Sequence, residues 1–217
     1  MPGVLTQPRR ATLTDSQQLN VIASTIAAGW VVASVFALVV GFPTVMKFYA
    51  LGLHPESEGP FLVHLFAYSF FHNVVILVMS LVSLVGAVRC AKGYLTPPAF
   101  VRLYSLGTVV TGLVFLLVSA KAGLRQPLIG AGGPILALFG AMAVLNPSQR
   151  VALFFFVPMR LPWAVVCVGV LQLLAVASEP NFAVGMIAGL IAGVMYGAVE
   201  RMFRTWTLGA RAAERSW

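Results

Sequence analysis

The chain has 217 residues, 59% of them hydrophobic and only 9% charged. A soluble domain carries roughly a quarter charged residues, so the composition excludes a water-soluble globule and puts lipid against much of the surface. The formal charge of +8 does not point to nucleic acid, because the basic residues stand between and after apolar runs, as topology signals and headgroup contacts do.

The first 20 residues lack the apolar core of a secretory signal. They hold Arg9 and Arg10 with a single acid, Asp15, a pattern faintly like an organellar leader. Six apolar stretches come next, at 21–42, 61–88, 101–120, 128–145, 163–178 and 182–199, each read as a membrane span. Prolines at 43, 55, 60, 97, 98, 127, 147, 162 and 180 fall at or between the span edges, where helices stop. The expected fold class is therefore all-α: a polytopic membrane protein of six transmembrane helices. It forms one domain over 1–217, with an N-terminal tail at 1–20 and a basic C-terminal tail at 201–217.

An even number of spans puts both termini on one side, with the second and fourth loops. That side collects eleven basic residues, from Arg9 and Arg10 through Arg89, Lys92, Arg102, Arg150 and Arg160 to the C-terminal tail, against Lys47, Lys121 and Arg125 opposite. The imbalance places both termini on the cytoplasmic or matrix-equivalent face. In the tail, Arg201, Arg204, Trp206, Arg211, Arg215 and Trp217 combine arginines for phosphates with tryptophans for the interface. They are expected to contact headgroups or a neighbouring subunit.

Two stretches carry packing signals. The sixth has Gly185, Gly189, Gly193 and Gly197, one every fourth residue on a single helical face, widened by Ala188 and Ala192. Such a stripe lets helix backbones approach closely where no hydrophobic effect drives association, so this helix is expected at the centre of the bundle. The fourth stretch opens with Gly130, Gly132 and Gly133 before Pro134, which suits a first helical turn. Its helix is expected to start near Pro134, after an irregular glycine segment that only protein or a wet cavity can surround.

Candidate chemistry is sparse. Cys90 and Cys167 have neither disulfide nor metal spacing, and no cofactor is expected. No acid lies at the middle of any span, which disfavours a coupled transporter. The histidines are His54, His64 and His72. Of these, His64 and Lys47 read as interface markers, and His72 as a polar group bonded inside the bundle. Ser69 and Ser80 lie three and eight residues from His72, offsets that polar core residues also show.

Three segments together resemble the rhomboid superfamily of intramembrane serine proteases and their inactive relatives. LIGAGGPILALFGAMAVLNPSQR, at 128–150, resembles the family's Gly-x-Ser-Gly segment and the helix after it. FAVGMIAG, at 182–189, resembles His-x-x-Gly-x-x-x-Gly, and YSFFH, at 68–72, resembles the approach to His-x4-His-x3-Asn. The resemblance implies a rhomboid-like bundle with Gly132 at the nucleophile position and Phe182 at the general base. It also implies Leu77 and Leu81 on the oxyanion side, with His72 a retained family position. The first-loop Trp-Arg pair is replaced by Val63-His64. Acyl transfer needs a hydroxyl and a base within hydrogen-bond reach, and leucine cannot donate to an oxyanion.

The resulting expectation is a pseudoprotease: a non-catalytic structural or accessory subunit, or scaffold, of a larger hetero-oligomeric membrane complex. Its expected partners are membrane lipids and other membrane subunits, and its expected home the mitochondrial inner membrane ahead of the endoplasmic reticulum. One alternative is a derlin-like quality-control or trafficking factor; another is an intramembrane serine protease.

Overall fold

Backbone in lipid must satisfy its hydrogen bonds internally, and this chain does so chiefly with helices. A computed structural model describes residues 13–41, 43–45, 51, 60–72, 74–122, 128–153, 157–175 and 180–214. In chain order they form α1 (Leu13–Val40), α2 (Phe61–Ala67), α3 (Val74–Ala91), α4 (Pro97–Ala122) and α5 (Gly132–Leu145). An antiparallel hairpin comes next, β1 (Arg150–Leu153) and β2 (Val157–Arg160), then α6 (Leu161–Ala175) and α7 (Pro180–Glu214).

Among the described residues, Asp15–Val40, Pro97–Lys121 and Ala183–Thr207 are long and apolar enough to cross a membrane. Ile76–Ala91 and Gly132–Leu145 are apolar but shorter. At 1.5 Å per residue α5 is only about 21 Å long, less than the roughly 30 Å of a hydrocarbon core. It is covered by protein rather than lipid: residues from Gly133 to Ala143 are buried, Phe139 excepted.

Several expectations are corrected here. The second apolar stretch is not one helix. It breaks after Ala67 into α2 and α3, where the Tyr68 carbonyl and His72 Nε2 accept hydrogen bonds from the Gly130 and Ala131 amides in the segment ahead of α5. The helix of the fourth stretch starts at Gly132, two residues before Pro134, since proline needs no amide partner anywhere in the first turn. The all-α expectation missed the hairpin, a short ribbon with arginines at its open end. Most of the basic 201–217 tail is helical, as α7 runs unbroken through Glu214.

The centre of the bundle also differs from expectation: α5 occupies it. The glycine stripe explains why, since it covers only one face of α7. A β-carbon on Gly189 would strike the carbonyl of Gly133, and one on Gly193 the carbonyl of Ala137. At Gly197 it would lie 2.8 Å from the Ala141 oxygen. The backbones of α5 and α7 are therefore in direct contact over two turns, as small-residue interfaces allow. The opposite face of α7 is exposed, with Ile191, Met195 and Val199 outward, where lipid is the fitting solvent. Gly185 faces elsewhere, toward Thr111 and Leu128.

The same pairs fix direction. Residues 133, 137 and 141 meet 189, 193 and 197 in ascending order, so α5 and α7 run parallel and both end on one side. Arg204 donates to the Tyr94 carbonyl at 2.8 Å, which puts the α3–α4 turn on that side too. Trp30 reaches His72, and Ala37 shares an apolar cluster with Phe71. The C-terminal half of α1 thus lies at the start of α3, and its N-terminal end on the side of the hairpin.

Candidate functional site

The site is built where the second apolar stretch leaves the helix. The Tyr68 carbonyl accepts the Gly130 amide at 2.8 Å, and the Tyr68 hydroxyl donates to the Thr108 carbonyl at 2.8 Å. The strand-like pair Leu51–Leu128, with bonds of 3.2 and 2.8 Å, closes the same region from the first loop. Gly130 has φ of +95°, a left-handed turn that glycine adopts without a side-chain clash. These bonds satisfy the irregular backbone ahead of α5, which lipid could not.

His72 completes the arrangement. Its Nδ1 lies 3.1 Å from the Phe70 carbonyl, and its Nε2 is 3.1 Å from the Ala131 amide nitrogen. Because an amide can only donate, Nε2 must accept, so the proton sits on Nδ1 and is donated to Phe70. Both ring nitrogens are thereby committed to backbone. The ring is buried and stacked, tilted, against Trp30 at 5.1 Å between centroids. His72 therefore ties the turn after α2 to the residue before α5.

At Gly132, in the first turn of α5, a β-carbon would lie 2.5 Å from Met186 Cε and 3.2 Å from its Cγ. The flexible thioether of α7 thus covers the place a side chain would take. Gly133 is closed by Thr111 of α4 in the same way. Leu77 and Leu81 are half-buried and pack against the main apolar core. Phe182 is in the first turn of α7, but its side chain lies outside the described residues. His64, read as an interface marker, is buried in α2.

Of the tail residues, Arg204 is tied to the protein, bonding Glu200 at 2.9 Å as well as Tyr94. Arg201 and Trp206 are exposed, the latter at 72%. Arg211 is on α7 with an undescribed side chain, and Arg215 and Trp217 lie outside the described residues. Cys90 and Cys167 are free, and no grouping of His, Cys, Asp or Glu suited to a metal ion occurs among the described residues.

Sequence reasoning missed three glycines that matter as much as the stripe. Gly107 faces Ala137 and Pro134, Gly112 faces Leu65 and Leu51, and Gly140 faces the Leu190 carbonyl, which a β-carbon there would approach to 2.7 Å. Without a repeat they carry no sequence signal; Gly107 and Gly112, five apart, lie on different faces of α4.

Apolar crossing helices, packed through glycines around a short buried helix, define an integral membrane protein. Its family is given by comparison with known proteins: the rhomboid domain matches residues 59–203. The chain belongs to the rhomboid family, and the match spans the α5–α7 contact and the segment held by His72. No curated protein matches the chain.

Proposed function

We propose that this chain is a non-catalytic rhomboid-family protein, serving as a scaffold or accessory subunit that holds other membrane segments in a larger complex. The observation that carries the reading is the glycine at 132 beneath Met186, where the family resemblance puts a hydroxyl nucleophile. A glycine cannot attack a carbonyl. His72, with both nitrogens bonded to backbone, has no free site to take a proton. The bundle itself is retained, which suits a protein used for its surfaces. Counting α2 with α3 as one crossing, the chain spans the membrane six times, with its termini and basic loops on the cytoplasmic or matrix-equivalent side.

Two experiments test this. A fluorophosphonate probe is expected to leave both the wild-type protein and Gly132→Ser unlabelled, since restoring a hydroxyl supplies no base. Labelling of the wild-type chain at a serine in this crevice would remove the non-enzyme reading. In mild detergent, the chain from native membranes is expected to comigrate in fixed ratio with other membrane subunits. A species no larger than one chain with its detergent would contradict the scaffold role.

A further inference from the structure

The hairpin between α5 and α6 carries a charge arrangement that its own folding does not favour. Arg150 and Arg160 are direct cross-strand partners, so both side chains leave the same face of the ribbon. Val151 and Met159, the next pair, take the other face, and Val151 packs against the main core. Both arginines are exposed. Like charges directly opposite one another are destabilising, and no acid stands near either arginine in sequence. No acid occurs between Glu58 and Glu179, and Glu200 is engaged by Arg204.

An anion between the two guanidinium groups resolves the repulsion. Direct pairing sets the Cα atoms about 5 Å apart, close enough for two planar forks to converge on one tetrahedral oxyanion. The turn that presents Arg150 is itself ordered: Asn146 Nδ2 donates to Gln149 Oε1 at 2.9 Å, and Leu161 donates to the Gln149 carbonyl at 2.7 Å. The last bond also fixes Arg160, one residue earlier, at the start of α6.

Position selects the kind of anion. The hairpin lies on the side where α5 and α7 end, the side that holds the exposed Arg102 and Arg201. Three residues past Arg160, Trp163 is 65% exposed, and Val166 and Val170 continue outward on α6. Positions 163, 166 and 170 share one helical face, so an exposed apolar track starts with an indole just after the arginine pair. Tryptophan at such a level marks the membrane interface. A ligand matching both features has a phosphate at one end and hydrocarbon at the other. We propose that Arg150 and Arg160 clamp the phosphate of an anionic phospholipid whose acyl chains lie along Trp163, Val166 and Val170. This does not depend on the function proposed above.

The test uses the purified full chain in detergent, titrated with phosphatidylglycerol, phosphatidylcholine or inorganic phosphate and read by native mass spectrometry. Phosphatidylglycerol is expected to bind in preference to phosphatidylcholine. The double variant R150Q/R160Q is expected to lose affinity for it by about 25-fold, roughly fivefold per arginine. Arg102→Gln, on the same side, should bind as wild type does. If R150Q/R160Q does not fold, R150K/R160K decides: it keeps the charge and loses the fork, and its expected loss is about fivefold. Unchanged binding in the folded variant overturns the clamp. Inorganic phosphate competing as well as the lipid would overturn the assignment to a phospholipid.

Discussion

Gly193→Ala is expected to part α5 from α7 and lower the melting temperature of the purified protein by roughly 6–12 °C. The added carbon would meet the Ala137 carbonyl, with its carbon and Cα at 2.6 Å. These are backbone atoms of a buried helix and cannot rotate aside, so relief requires moving one helix bodily. Overpacking in ordinary cores costs about 1–3 kcal/mol, and a backbone clash belongs at the top of that range. For a chain of this size each kcal/mol shifts the midpoint by about 2–4 °C. Gly132→Ala is the natural contrast. Its new methyl meets the side chain of Met186, nearest at the terminal Cε, which is unbranched and can change rotamer, so its cost should stay below about 1.5 kcal/mol. A thiol-reactive dye reporting on buried Cys90 tracks both transitions. Equal melting of the two variants would refute direct backbone contact at Gly193.

His72→Leu is the second large effect. The substitution preserves bulk but leaves the Ala131 amide and the Phe70 carbonyl without their partner. Each buried backbone group left unpaired costs about 1–3 kcal/mol, and lipid offers no water to replace the bond. The expected fall in midpoint is roughly 10 °C. His72→Gln carries both an acceptor and a donor at similar reach and should recover part of the loss. If leucine were as stable as glutamine, His72 would be no more than a space-filling ring.

The parts of this fold legible in the sequence were those with a repeat or a composition signal. Long apolar stretches announced α1, α4 and α7, and the four-residue spacing of Gly189, Gly193 and Gly197 announced a close helix contact. The break between α2 and α3 was concealed because it arises from tertiary exchange of hydrogen bonds. Nothing in YSFFH interrupts the apolar run as a proline or glycine would, yet the helix stops there because its polar groups find partners at Gly130 and Ala131. The polar residues Ser69, His72 and Asn73 inside an otherwise apolar stretch were the available hint. The place of α5 at the centre was hidden for a different reason. A short helix looks like a marginal span until its neighbours are known to shield it. Gly185 matches the stripe in sequence, but in the register of the other three it falls opposite position 129, ahead of the start of α5, and meets Leu128 and Thr111 instead.

The unbroken course of α7 has a mechanical consequence. At 35 residues it is about 52 Å long, well beyond the roughly 30 Å of hydrocarbon, so part of it stands outside the bilayer as a stiff rod. Arg204, gripping Glu200 and the Tyr94 carbonyl, ties the C-terminal half of this helix to the α3–α4 turn. A sideways load on the outer end is delivered to the glycine seam with α5, where backbone meets backbone.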